Sequence, residues 1–248
     1  MNKRATPIAA AAVLLLAACS QPGPAPATTA PPSPAARLLW MGDSVAVGEA
    51  APLAAAAKAS GLTMESIASE GGGNVSGIPE LTATTWEQLT GKLAGFKPDV
   101  VAYQVSTFDW GTADEQRGAY EKLLATVSGA GAELVVVTVP PIRADDFYTP
   151  HMQDLERATA VVKEVAGGSG GKAVVLDSAE VWGPTYQQDR DGKRDRNPDG
   201  VHTCPQGAAR FTAWLLDGLG RRLPGFSPAK PEDWANAGWA GDPAFRGC

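Results

Sequence analysis

The chain has 248 residues, 44% of them hydrophobic and 19% charged, which excludes a wholly disordered chain and leaves room for one large domain or two small ones. Its 27 acidic residues against 21 basic ones leave a formal charge of −6 with no Lys/Arg cluster, a poor match for gripping nucleic acid. Three cysteines are too few for a disulfide-dense scaffold, and two distant histidines with no Cys/His ligand spacing give metal catalysis no support.

Lys3 and Arg4 precede an apolar run from Ile8 to Ala18 that is too short to span a membrane. Its end, Leu16-Ala17-Ala18-Cys19, resembles a bacterial lipoprotein signal (residues 1–18), in which Cys19 is lipidated and becomes the first residue. An ordinary cleaved signal peptide fits the run as well, and both place the mature protein outside the cytoplasm. Losing the two cations takes the formal charge from −6 to −8. The segment 19–36 is dominated by Pro, Ala and Thr, cannot pack a core and favours extended geometry. At about 3 Å per residue it forms a tether of roughly 50 Å. The expected product is a domain (37–248, with a tail from about 224) held by a lipid anchor on the outer side of a bacterial membrane.

From Arg37 onward, strand candidates alternate with helical windows. The strands are 38–41, 63–67, 99–105, 133–139 and 172–177, and the helices 45–60, 86–93, 114–128, 146–165 and 205–219. Val100-Val101-Ala102-Tyr103 and Leu134-Val135-Val136-Val137 are continuously apolar, as strands covered on both faces are. The alternation predicts an α/β fold, a three-layer α/β/α sandwich around a mostly parallel sheet of about five strands, with ligands at the carboxyl ends of the strands.

Two short motifs carry chemistry. Gly42-Asp43-Ser44 directly follows the first strand and opens the first helix, which places a hydroxyl at the carboxyl edge of the sheet beside a helix N-terminus. A plain turn with an N-cap would use the same residues. Asp199-Gly200-Val201-His202 stands just before the last helix. Three residues apart, the carboxylate can orient the imidazole and leave its other nitrogen to take a proton from a serine.

Together these blocks resemble the SGNH, or GDSL-type, hydrolase family over most of the chain from Arg37 to about Leu223. The resemblance implies a flavodoxin-like fold, Ser44 as nucleophile, and His202 and Asp199 completing a triad that needs no cofactor. It also implies an oxyanion hole made by the Ser44 N–H, a glycine after the second strand and an asparagine after the third. Gly73, within Glu70-Gly71-Gly72-Gly73-Asn74-Val75-Ser76-Gly77, is the favoured glycine and Gly77 the alternative. Where the family has Gly-x-Asn-Asp this chain has Ser106-Thr107-Phe108-Asp109, so the asparagine's place is taken by Phe108, which donates nothing. Loss of one such donor costs about 3 kcal/mol of transition-state stabilisation. The stretch looks like SGNH domains appended to bacterial membrane acyltransferases, which act on acyl groups of cell-envelope glycans. In that reading Phe108 and Asp43 line the substrate; otherwise Phe108 is core packing.

With Cys19 set aside, export favours pairing Cys204 with Cys248, which would close a loop of about 45 residues worth roughly 4 kcal/mol and anchor the tail beside His202. His151 reads as surface or substrate-loop polar. The charged stretch 187–199 reads as a solvated loop rimming the site; Asp189, Asp191 and Asp195 hint at calcium, but neighbouring Arg and Lys residues, Arg196 among them, neutralise it. The expectation is an exported serine esterase, acyl hydrolase or O-acyltransferase taking an acylated carbohydrate or other ester, with no nucleic-acid partner. A non-catalytic glycan-binding module that keeps the fold is its rival, and a phosphate-binding α/β domain, lacking the glycine and lysine motifs, stands below both.

Overall fold

Each apolar run becomes a parallel strand: β1 (Arg37–Met41), β2 (Thr63–Ser66), β3 (Val100–Gln104), β4 (Glu133–Val137) and β5 (Ala173–Leu176). They pair in the order β2-β1-β3-β4-β5. The computed structural model describes residues 36–223 and 225–248. The signal segment, Cys19 and the tether up to residue 35 lie outside the described residues.

The central strands are apolar except at their ends (Arg37, Gln104 and Glu133) because both faces of the sheet are covered. Trp40, Ala102, Val135 and Val137 pack against α1 (Ser44–Ala59) and α6 (Pro205–Gly220), through Leu53, Phe211 and Leu215 among others. Leu39, Tyr103, Leu134 and Val136 point the other way, onto α2 (Pro79–Gly95), α3 (Ala113–Gly129) and α4 (Met152–Gly167). This is the expected three-layer sandwich.

Two helices differ in extent from the sequence expectation. α2 starts seven residues before the window at 86, with Pro79 in its first turn. Proline suits that position because the missing N–H has no partner there anyway, while Thr82 and Thr85 offset their weak propensity by bonding back to Pro79 and Leu81 carbonyls. α4 starts at Met152 rather than 146, because the Asp145 carboxylate accepts the N–H groups of both Phe147 and Tyr148 in a tight turn. Two further elements, α5 (Ala179–Trp182) and a short hairpin of β6 (Asp189–Arg190) and β7 (Lys193–Arg194), are too short to carry a periodic apolar signal. The hairpin turns on Asp191 and Gly192, both at positive φ (52° and 73°), the Asp-Gly pairing that a two-residue turn demands.

The tail is tied down at several points. Trp234 inserts into the α1/α6 face, the Ala229 N–H reaches Ser60 Oγ at 2.9 Å, and Cys248 forms a disulfide with Cys204. Among the described residues no helix is long and apolar enough to cross a membrane.

The strand order reverses between β1 and β3: the chain leaves β1 for β2 on one side and returns to β3 on the other. Loops diverge there, which opens a crevice at the carboxyl edge.

Candidate active site

The crevice is built from the loops after β1, β2 and β3 and the loop before α6. Asp43 is the N-cap of α1, accepting from the Val45 N–H at 2.9 Å. Its other oxygen accepts from the Thr107 N–H at 2.6 Å and Thr107 Oγ1 at 2.7 Å. It is 1% exposed. The expectation that Asp43 lines the substrate is therefore corrected: its carboxylate is spent on fastening the β1 loop to the β3 loop, which fixes the next residue, Ser44.

Ser44 opens α1, where its own N–H has no intrahelical acceptor. Its Oγ lies 2.8 Å from His202 Nε2, although 158 residues separate the two. His202 Nδ1 lies 2.8 Å from Asp199 Oδ2, and Asp199 Oδ1 accepts from the backbone of Val201 and His202 at 2.8 and 3.0 Å. Because an ionised carboxylate only accepts, the Nδ1–H donates to Asp199 and Nε2 is left as acceptor for the serine hydroxyl. Partial burial raises the Asp199 pKa, but the Val201 N–H and the His202 ring more than offset it and hold the carboxyl below its usual range. Ser44, His202 and Asp199 thus meet as the sequence predicted.

The two candidate glycines fall in different places. Gly73, at φ +73°, lies so close to the Gly42–Asp43 peptide that a Cβ would stand 1.8 Å from Gly42 O. Gly77 instead abuts Phe108, whose carbonyl a Cβ there would meet at 2.4 Å. Gly73 is the one beside the serine's own turn. The glycine loop is pinned by Asp109, whose Oδ1 accepts from the Val75 and Ser76 N–H groups at 2.9 and 3.1 Å. The hydroxyls of Tyr103 and Tyr120 donate to its Oδ2. Burial pushes the Asp109 carboxyl up to about 6 against the pull of these four donors.

Phe108 occupies the asparagine position and stands among other rings, with Trp110 at 5.4 Å, Phe147 at 6.1 Å and Tyr148 at 6.4 Å between centroids. Nearby hydroxyls and N–H groups are already engaged: Thr107 Oγ1 with Asp43, Ser106 Oγ with the Phe108 N–H, and Trp110 Nε1 with the Thr107 carbonyl. His151 stacks on Trp110 at 3.5 Å and faces Asp154 at 3.4 Å, away from the Ser44–His202 pair in its bonding.

The stretch 187–199 is only partly a solvated rim, because Asp195 and Arg196 are buried. Asp189 pairs with Arg194 and Asp195 with Arg210. Arg196, read from the sequence as a neutralising surface charge, is the larger correction. Its guanidinium donates to the carbonyls of Pro141, Val201 and His202 and lies over Trp182 at 4.9 Å. The Glu49 carboxyl of α1 is fully buried; burial pushes it well above its usual range even though the Arg196 charge pulls it down. Asn197 completes the brace, accepting from the Asp199 N–H at 3.2 Å and donating to Arg246 O of the tail at 2.9 Å. A signal for Glu49 did exist: it shares the buried stripe of α1 with Ala46, Leu53, Ala56 and Ala57. Charge density alone hid Arg196.

The sequence pattern of the GDSL-like Lipase/Acylhydrolase family matches residues 40–210. The chain belongs to this family. As a member it is an esterase or acyl hydrolase. Solved structures share its fold. A protein from Slackia heliotrinireducens grouped with the SGNH hydrolases is 19% identical, covering 75% of this chain and 100% of that one at a TM-score of 0.57. The lipase/acylhydrolase from Enterococcus faecalis is 15% identical over 79% of this chain and 99% of its own, with a TM-score of 0.57. An acetylxylan esterase from Geobacillus stearothermophilus is 16% identical over 75% and 96%, again at 0.57. No curated protein sequence matches the chain.

Proposed function

We propose that this GDSL-family chain is an exported serine esterase that uses Ser44, His202 and Asp199 on acyl esters of cell-envelope carbohydrates. The observation that carries the reading is the unbroken line from Asp199 through His202 to Ser44, 2.8 Å at each link, ending at a helix N-terminus.

The mechanism follows from the geometry. Ser44 Oγ attacks the ester carbonyl and passes its proton to His202 Nε2, while Asp199 stabilises the imidazolium and keeps the ring's orientation. The negative charge that develops on the carbonyl oxygen is received by the N–H groups of Ser44 and Gly73, aided by the N-terminal end of α1. The ester bond breaks, His202 returns the proton to the leaving oxygen, and an acyl-Ser44 remains. Water, deprotonated by His202, then releases the acid; a sugar hydroxyl in the same place makes the reaction an acyl transfer. With Phe108 where a third donor would stand, the hole works with two backbone donors, so the chemistry is slower than a three-donor site by about 10²- to 10³-fold.

Two features favour a carbohydrate. The acetylxylan esterase among the structural neighbours acts on an acylated polysaccharide, and the loops after β3 and β4 carry a group of aromatic rings beside the site. Residues 1–19 support export and a lipid anchor on Cys19. Fractionation of cells making the wild type and Cys19→Ser tests the anchor, which predicts membrane retention only of the former.

The direct test of function is hydrolysis of 4-nitrophenyl acetate by the purified protein beside Ser44→Ala. Activity in the wild type and its loss in the variant support the esterase; equal rates would leave the binding-module reading.

A further inference from the structure

Phe147 is 54% exposed, the one large hydrophobic side chain among the described residues left so open. A loose loop would not explain it, because the ring is held in place. Asp145 Oδ1 accepts the N–H groups of Phe147 and Tyr148, each at 3.0 Å, and Asp145 O accepts that of Thr149 at 2.9 Å. The ring meets Tyr148 edge-on at 5.0 Å and leans on Trp110 at 5.8 Å. Tyr148 OH lies 3.3 Å from Thr107 Oγ1, which bonds Asp43, the cap of the helix that Ser44 opens. Tyr148 also packs in one cluster with Val45 and Val201, the neighbours of Ser44 and His202. Phe147 is therefore a preorganised apolar face, fixed in register with the serine and the histidine.

We propose that Phe147, backed by Trp110 and Phe108, is the stacking subsite for the sugar ring that carries the ester. The inference rests on the carbohydrate reading above and adds where the sugar lies. A single aromatic face with hydrogen-bonding neighbours matches a pyranose, which offers an apolar C–H face ringed by hydroxyls. Asp145 and Asp146 are exposed on the same turn, where Asp145 Oδ2 and the Asp146 carboxylate stand outside the turn's own hydrogen bonds and can accept from those hydroxyls. The acyl group sits at Ser44, and the leaving sugar covers Phe147.

The test measures kcat and KM for O-acetylated xylo-oligosaccharides and for 4-nitrophenyl acetate, whose alcohol has no pyranose, in wild type, Phe147→Ala and Phe147→Trp. In Phe147→Ala the ratio of kcat/KM for the oligosaccharide to that for the aryl acetate falls roughly 5- to 20-fold, through KM, and Phe147→Trp restores it to within about twofold. An unchanged ratio, or a fall in kcat that is equal on both substrates, overturns the subsite. So does a wild type that cleaves the aryl acetate and leaves the oligosaccharide intact. A wild type that cleaves neither contradicts the esterase reading beneath it.

Discussion

His202 has an oxygen 2.8 Å from each ring nitrogen, and in the proposed mechanism the carboxylate on one side and the hydroxyl on the other set the direction in which the proton moves. Asp199 is the member that fixes the tautomer: its Oδ1 is saturated by two backbone N–H groups, so only Oδ2 faces the ring. Asparagine in its place can turn an amide toward Nδ1 and favour the wrong tautomer. Asp199→Asn should therefore lower kcat for 4-nitrophenyl acetate by about 10³- to 10⁴-fold with KM nearly unchanged. A loss below tenfold would mean that another group orients the ring. At this scale the serine, aspartate and histidine were legible because short spacing and a strand-to-helix turn carry their chemistry. Asp43 was misread, since a carboxylate beside a nucleophile looks the same in sequence whether it faces substrate or caps the helix.

Between elements, two buried charged side chains, Arg196 and Asp109, hold the loops that carry the site. Arg196 holds three carbonyls around the Asp199–His202 turn. Arg196→Met removes those donors and leaves the carbonyls unheld, which should cost about 1–3 kcal/mol of stability. Urea unfolding should show that loss, and kcat should fall with it. Unchanged values of both would make Arg196 a packing residue only. Asp109 gives a pH signature. Its folded-state pKa of about 6 lies above the ordinary 3.8, so the folded protein binds this proton more tightly than the unfolded chain. The contribution favours folding fully below about pH 4 and is lost as pH rises through 6, a swing on the order of 3 kcal/mol. Asp109→Asn should flatten that part of the stability profile between pH 4 and 7; an identical slope in both proteins would rule the Asp109 contribution out. Neither Arg196 nor Asp109 could be ranked from sequence. Burial and partners decide their roles, and both come from segments far apart in the chain.

Across the whole molecule, the alternation of apolar runs and helical windows was enough to foresee a parallel sheet covered on both faces, since β3 and β4 show no polar alternation. Strand order was not legible, yet the reversal between β1 and β3 is what brings residues 44, 73 and 108 to one crevice. Tail anchoring was legible in part: the Cys204–Cys248 bond is present, while the insertion of Trp234 into the α1/α6 face had no sequence signal. Replacing both cysteines by serine should lower stability by about 4 kcal/mol, from a loop closed over 44 positions, and the melting temperature by roughly 8–16 °C. A shift under 2 °C would show that Trp234 and the tail's hydrogen bonds secure it without the disulfide.

The central claim is that Ser44 forms an acyl-enzyme. Intact and peptide mass spectrometry after treatment with a fluorophosphonate, wild type beside Ser44→Ala, tests it most directly. One adduct per chain on the peptide containing Ser44, absent from the variant, is the predicted result. No adduct on the folded wild type, or an adduct that persists in Ser44→Ala, would contradict it.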